Sequence, residues 1–391
     1  MQKTDVRALI ISCGGWWLPH TAKAFEARGA LAGLWITDRQ RVDLAPEHYK
    51  RCWPFHAAMM PFYLWTPQIW VERAFYALFP IWKAWLALQK FPRCNVVHAM
   101  IGFATEPFDR AERTGALKVL DCPNSHPLTY YGFWQRECDL WCPGERVPIP
   151  SWMFARMNRE LERADVIIVQ SKFCRESMLW NKIPATKIIV QPMGVDTAIF
   201  KQRPAVPDKI RFVCVGTICL RKGHQYLFRA WEIVKRSLPT AELICVGAYK
   251  TDFRKERPRW KGRFTHHQRL SHAEIASLLG KATAFVFPSQ EEGIARAQME
   301  ALACGVPVIG THEGGATTVV DDGVEGFIVN GRNPQEIAAA MLLIAENSSL
   351  NEKMGKAAYE KGGVSNTWQD YGDRLLREYT ARIQDSGDSG M

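Results

Sequence analysis

Short apolar runs that stop at a glycine, proline or polar residue, each followed by a helical pattern, recur along almost the whole chain. This alternation restricts the fold more than any other feature. VRALIIS (6–12) leads through CGG into a helical pattern ending near Ala30 and then a second run, ALAGLWIT, ending near Thr37. The same grammar returns at 211–247, where RFVCVG is followed by the basic loop TICLRKG, a helix from about His224 to Lys235 and the run AELICVG. Strands that alternate with helices build parallel sheets, so two open α/β halves are expected. VVHAMI, LKVLDCP, ADVIIVQ and KIIVQPM extend the first sheet; ATAFVFP, VPVIG and GFIV extend the second. DTAIFKQRPAVPDK carries the prolines and charge of a linker near 196–210, and TWQDYGDRLLREYTARI (367–383) reads as an amphipathic helix followed by frayed Gly/Ser-rich residues.

The bulk numbers agree. A chain of 391 residues is long for one core and comfortable for two, and 47% hydrophobic with 23% charged residues excludes general disorder. Eleven cysteines, several inside strand-like runs such as RFVCVG and ELICVG, read as buried thiols in a reducing compartment. Cys138 and Cys142 have no second Cys/His pair at ligand spacing, which argues against zinc. The apolar stretch near the N-terminus is only about six residues long, short of the roughly 7–15 of a signal sequence, so a cytoplasmic location is expected. A net charge of +10 and a pI near 9.1 suit an acidic partner. No basic run marks a nucleic-acid arm, which leaves a phosphorylated small molecule or an anionic membrane at the inner surface. Between Trp53 and Phe91 aromatic residues crowd together, and 56–71 holds sixteen residues without a formal charge. Pro61, Pro67, Pro80 and Lys83 interrupt any span of the roughly 20 apolar residues a membrane crossing needs. Two readings stay open: a hairpin lying on a bilayer or shaping an apolar acceptor pocket, and a helical insert packing its rings on the first sheet.

Ligands of open α/β sheets bind at the carboxyl ends of the strands, where helix N-termini favour anions. Gly14-Gly15 follows the first strand, without the full GxGxxG of dinucleotide binders, which disfavours hydride transfer; no GxxxxGK[ST] is present either. Gly216 closes the first strand of the second half, and Arg221-Lys222-Gly223 opens the next helix, placing two cations where a diphosphate can sit; a solvated basic loop is the alternative. In FPSQEEGIARAQMEALACG, AFVFPS is the strand, Glu291-Glu292-Gly293 its loop, IARAQMEALAC the helix and Gly305 its C′ residue. If Glu292 and Glu300 both follow that helix, eight residues separate them by about 12 Å of rise and about 80° of rotation. That is too far for a retaining glycosidase pair at about 5–5.5 Å. It does match the span from a hexose to the ribose of a nucleotide sugar. Glu292 would then hold the sugar and Glu300 the ribose; otherwise Glu292 favours a helix N-terminus and Glu300 is an exposed helix residue.

Taken together, DCPNSHP (121–127), ADVIIVQSKFCRE (164–176), MGVDTAIF (193–200), VGTICLRKG (215–223), LSHAEIASLL (270–279), the E-x7-E stretch with ALACGVPVIGTHEGG behind it, DDGVEGFIV (321–329) and the terminal WQDYGDRLLREY resemble glycosyltransferase family 4, retaining enzymes of the GT-B fold. The resemblance implies two Rossmann-like α/β domains facing across a cleft. Residues 1–200 would form the acceptor-side domain with the aromatic insert 53–91, 201–366 the nucleotide-sugar domain, and 367–385 a helix crossing back to the first domain. It implies a nucleoside-diphosphate sugar as donor substrate, no cofactor, no metal and no nucleic acid, with a glycan, lipid-linked or small-molecule acceptor. Glu292, helped by the backbone of Gly293 and Ile294, resembles the donor-sugar contact, and Glu300 the ribose contact. Lys222 with Arg221 is similar to the basic pair on the diphosphate, His126 to the histidine facing the sugar, and Gly15 to the glycine beside the phosphates. In the implied mechanism the diphosphate leaves from the face the acceptor enters and takes the acceptor proton, while Arg221, Lys222 and a helix N-terminus stabilise its charge. Asp321-Asp322 precedes Gly323 and reads as a turn rather than a metal-binding DxD. Thr217 and Thr318 stand where many members carry Arg and Glu, and GIAR where many have GFGL, so the donor's identity stays open; base recognition falls near Phe264–Arg269. A GT-B epimerase or phosphorylase, and a membrane-bound scaffold, are the rival classes.

Overall fold

The computed structural model describes residues 5–12, 17–37, 43–65, 74–201, 209–363 and 366–388. Among them, β1 (Ala8–Ser12), β2 (Leu31–Ile36), β3 (Tyr49–Arg51), β4 (Val96–Met100), β5 (Leu117–Cys122), β6 (Val166–Val169) and β7 (Ile188–Val190) form one sheet in the order β3-β2-β1-β4-β5-β6-β7. β8 (Arg211–Val215), β9 (Glu242–Val246), β10 (Thr265–His267), β11 (Ala284–Phe287), β12 (Val308–Gly310) and β13 (Gly326–Ile328) form the other, β10-β9-β8-β11-β12-β13. Every pairing is parallel. Every apolar run anticipated above is a strand, because a parallel strand covered by helices on both faces must be apolar throughout. β3 and β10 were not anticipated. They are three-residue edge strands, YKR and THH, paired on one side and without a buried residue, so they carry no apolar signal.

Chain order reverses between β1 and β4 in the first sheet and between β8 and β11 in the second. A crevice opens at such switch points, outside the strands' carboxyl ends. The described aromatic side chains of the insert pack on the first sheet. Phe55, Phe79 and Trp82 are buried with Leu9, Ile11 and Val97 of the sheet, Trp82 stacks on Trp85 at 5.4 Å, and Phe79 meets Phe103 edge-on at 5.2 Å. Trp53 is the exception, 62% exposed. Residues 66–73 lie outside the described set, and no described helix is long and apolar enough to cross a membrane.

The chain leaves the second domain through the helix Ser348–Gly362 and returns to the first. Val195 N–H donates to the Asn366 carbonyl, Trp368 stacks on His20 at 4.6 Å, and Arg28 pairs with Asp373 at 2.6 Å. The final helix runs through Asp388, past the expected end near Ile383. Its Tyr371 and Tyr379 are buried, and the Tyr379 hydroxyl lies 2.9 Å from His98 Nδ1 inside the first sheet. The ten described cysteines are free, and all but Cys94 are buried. Asp322 bridges to Gly326 around Gly323, the turn expected there.

Candidate active site

Two loops of the second domain meet one of the first. After β8, Gly216 and Thr217 lead to Gly223, whose φ of +73 and whose would-be Cβ, 1.8 Å from the Pro288 carbonyl, admit only glycine; the helix His224–Ser237 follows. After β11, the loop Pro288–Ala295 leads to the helix Arg296–Ala303. Glu292 therefore lies in the loop and not on the helix. The expected helical rise and rotation between it and Glu300 do not apply. What breaks the helical reading is tertiary: Glu292 N–H donates to the Glu313 carbonyl at 2.9 Å, and Gly293 abuts the first domain so closely that a Cβ would sit 1.8 Å from the Pro123 carbonyl. The C′ position of Gly305 is as expected, with φ +70.

Between these loops and the first domain lies a cavity of about 450 Å³. Lys222, Glu292, Glu300, Gly216 and Ile294, all anticipated from sequence, line it. Val215, Thr217, Ala295, Arg296 and Ala297 complete the second-domain wall, and Trp17, Met100, Pro123, Asn124, Gln170 and Met193 form the facing one. The start of the helix Arg296–Ala303 thus lines the cavity, and its dipole favours an anion there.

Two glutamates and the cations paired with them define the electrostatics. Glu292 Oε2 sits 2.7 Å from Lys222 Nζ and 3.5 Å from Arg221 Nη1. Burial opposes its charge, but the two cations together hold its carboxyl below the usual range. The same oxygen is buried, with Lys222 as its nearest donor. Glu300 is 2% exposed rather than a surface residue. Burial pushes its carboxyl up to about 7, against the pull of Arg296, which pairs with it at 3.0 Å.

Three anticipated residues stand outside the cavity lining: Arg221, His126 and Gly293, the last set against the Pro123 carbonyl. Arg221 stacks over the Tyr130 ring and donates to Glu291 Oε2 at 2.8 Å; it does not line the cavity, because Glu291 has taken its guanidinium. His126 does not line it either. Its ring accepts from Leu128 N at 3.3 Å, capping the helix Pro127–Trp141, and burial lowers its pKa to about 4, so the imidazole is neutral at pH 7. Gly15 lies outside the described residues. Among those residues no cluster of three or more His, Cys, Asp or Glu is placed to hold a metal ion.

Glu291 was missed. It is fully buried and ties the domains together, accepting from Ser125 N at 3.0 Å, Ser125 Oγ at 2.8 Å and Asn124 Nδ2 at 3.3 Å of the first domain while pairing with Arg221 of the second. Glu137 does the same from the other side. Its buried carboxylate accepts from Tyr226 Oη and Gln225 Nε2, each at 2.9 Å, and pairs with Arg332 at 2.8 Å. His312 with Glu176 at 2.7 Å, and Lys172 N with Thr318 Oγ1 at 2.9 Å, add to this closed interface. Neither glutamate belonged to a recognisable spacing; EE, with one partner already assigned, was the only signal for Glu291.

Two parallel-sheet α/β domains facing across a cleft, with a last helix returning to the first, are the GT-B fold of glycosyltransferases. Sucrose-phosphate synthase from Thermosynechococcus elongatus has the same fold, with a TM-score of 0.70 at 17% identity over 97% of this chain and 100% of that one. Residues 195–361 match the model of the family Glycosyl transferases group 1. The chain is 29% identical over 189 residues to a D-inositol 3-phosphate glycosyltransferase of Paenarthrobacter aurescens, covering 44% of this chain and 46% of that protein. It is 24% identical over 293 residues to a GDP-mannose-dependent alpha-(1-6)-phosphatidylinositol monomannoside mannosyltransferase of Mycolicibacterium smegmatis, covering 70% and 72%. The chain thus spans about half the length of the first of these relatives.

Proposed function

We propose that the chain is a retaining glycosyltransferase that moves a sugar from a nucleoside-diphosphate sugar to a hydroxyl of a glycan, lipid-linked or small-molecule acceptor. The observation that carries this reading is that one interdomain cavity gathers Lys222, the start of the helix at Arg296, the carboxylate of Glu292 that Lys222 holds and the buried carboxyl of Glu300. A cation and a helix N-terminus side by side suit a diphosphate. The incoming phosphate takes over Lys222 from Glu292, and a sugar hydroxyl donates to the freed Glu292 oxygen, so no buried charge is left alone. Glu300, further along the same wall, accepts from ribose hydroxyls. The base then lies toward β10, near Phe264–Arg269.

Charge that develops on the departing diphosphate is met by Lys222 and the helix end, already oriented and shielded from water, which is the arrangement that lowers such barriers most. In this reading no metal or covalent nucleophile takes part. The acceptor enters from the Trp17–Asn124 wall, on the face the diphosphate leaves, and configuration is retained. Arg221 acts by holding Glu291 and Glu292 in place. His126, neutral and capping its helix, positions the Pro123–Ser125 loop against the sugar site. Relatives named for inositol phosphate and phosphatidylinositol mannoside support a phosphorylated or lipid-linked acceptor, and with it work at a membrane surface.

The test is to incubate the protein with UDP- and GDP-sugars, an inositol phosphate and a phosphatidylinositol acceptor, and to follow nucleoside diphosphate release and anomeric configuration by NMR, with and without EDTA. Acceptor-dependent release, retained configuration and indifference to EDTA are expected. Epimerised donor or free sugar phosphate would favour the epimerase or phosphorylase class. Turnover equal in wild type and Lys222→Ala would remove the cavity from the chemistry.

A further inference from the structure

The connection from β9 to β10 carries a second cavity, of about 360 Å³, that shares no lining residue with the first, although Phe264 and His266 of its wall fall within the stretch assigned above to the base. Buried Trp260, half-buried Tyr249 and Phe264, and exposed Arg257, Lys261 and His266 line it. No acidic side chain is among its described lining residues.

The carboxylates nearby are already committed. Glu256 pairs with Arg229 at 3.0 Å and accepts from the Trp260 indole at 3.2 Å. Glu232 pairs with Arg259 at 3.4 Å and Arg263 at 2.8 Å, and Glu145 with Arg254 at 3.2 Å. Residues 250–263 hold seven Lys and Arg against two carboxylates, so positive charge is left over, and Arg257 and Lys261 carry part of it. Among the described residues neither has an acidic partner; the Arg257 guanidinium instead lies over the Tyr249 ring at 4.5 Å. A merely solvated basic face is convex and lacks aromatic walls. Here two uncompensated cations rim a concavity whose size falls within the range of roughly 300–1,000 Å³ that small-molecule sites occupy. His266 is anchored by its ring nitrogen, 2.8 Å from the Gly247 carbonyl, so that side of the cavity is fixed in place.

We propose that this cavity is a second ligand site, for a phosphate group attached to an apolar or flat body. Arg257 forks the phosphate oxygens, Lys261 adds a point charge, and the body lies on Tyr249, Trp260 and Phe264. That chemistry has two sources, a soluble phosphorylated compound and the headgroup region of an anionic lipid, and the site is independent of the donor cavity in either case.

Calorimetric titration of the full chain with phenyl phosphate tests it. Saturable binding is expected, weakened about tenfold or more in the Arg257→Ala/Lys261→Ala double variant and retained in Lys222→Ala. Both substituted side chains are exposed and unpaired by acids, so the double variant should melt with the wild type, which a thermal scan verifies. Flotation with phosphatidylglycerol vesicles, against phosphatidylcholine alone, separates the sources: recruitment that depends on Arg257 and Lys261 assigns the lipid, and phenyl phosphate binding without recruitment assigns a soluble ligand. Absence of both, equal binding by the double variant, or binding lost only in Lys222→Ala overturns the proposal.

Discussion

Glu300→Gln should make the free protein more stable and a poorer donor binder, by amounts that depend on pH. Burial raises the Glu300 carboxyl from 4.5 to about 7 in the folded state. Between those two values the folded chain still holds a proton that the unfolded chain has released, so stability falls as pH rises through the window. A displacement of that size is worth about 3 kcal/mol at 1.36 kcal/mol per unit, fully felt above about pH 8 and absent below about pH 4.5. Glutamine keeps the shape without the charge. Arg296, whose side chain is 35% exposed, stays solvated when its partner is neutralised. For a domain of this size about 3 kcal/mol corresponds to a melting shift on the order of 5–10 °C. Thermal scans of both proteins from pH 5 to 8.5 should show the variant's advantage growing with pH. The carboxylate's bonds to ribose hydroxyls are lost, and a charged hydrogen bond is worth about 1.5–3 kcal/mol, so donor affinity should drop on the order of 10–100-fold at pH 8. A melting difference that is flat with pH, or that favours the wild type at pH 8.5, would refute the reasoning.

Lys222→Ala removes the cation expected on the diphosphate and leaves Glu292 with Arg221 at 3.5 Å, so nucleoside diphosphate affinity should fall by about 2–4 kcal/mol, read by calorimetry, with the fold intact. Gly293→Ala places a methyl 1.8 Å from the Pro123 carbonyl and must part the domains locally, so turnover should fall while each domain stays folded by circular dichroism. Glu137→Ala strands Arg332 and leaves the Tyr226 hydroxyl without its acceptor; breaking such a buried pair costs about 3–5 kcal/mol, and small-angle scattering should show a more open molecule. Tyr379→Phe removes the bond to His98 that seats the last helix, a loss of about 1 kcal/mol visible as a lower melting temperature.

The βα alternation was legible because strands buried on both faces must be apolar, and RFVCVG or AFVFP leave no other reading. The edge strands YKR and THH were not, since one unpaired side removes that demand. Lys222, Glu292 and Glu300 could be brought to one cavity from strand-end logic and the family resemblance, although the helical spacing argued for the two glutamates does not hold. The start of the helix at Arg296 could not, because IARAQMEALAC has helical propensity throughout and only the contact of Gly293 with Pro123 and the bond from Glu292 to Glu313 end it early. Arg221 was placed on the diphosphate by its neighbour's logic. Its actual partner, Glu291, is some seventy residues away, and no local pattern reports which of two adjacent cations faces inward. The glutamates that join the domains were illegible for the same reason: their partners converge only when both domains are folded and closed.

The account rests on a nucleoside-diphosphate site in the interdomain cavity. Melting temperature measured against a panel of nucleoside diphosphates and nucleotide sugars, for wild type, Lys222→Ala and Glu300→Gln, tests it most directly, because a ligand that binds only the folded state stabilises it by RT ln(1 + [L]/Kd). A rise with one base, much reduced in both variants, is the predicted result. No rise with any member of the panel, or a rise that both variants keep in full, would contradict it.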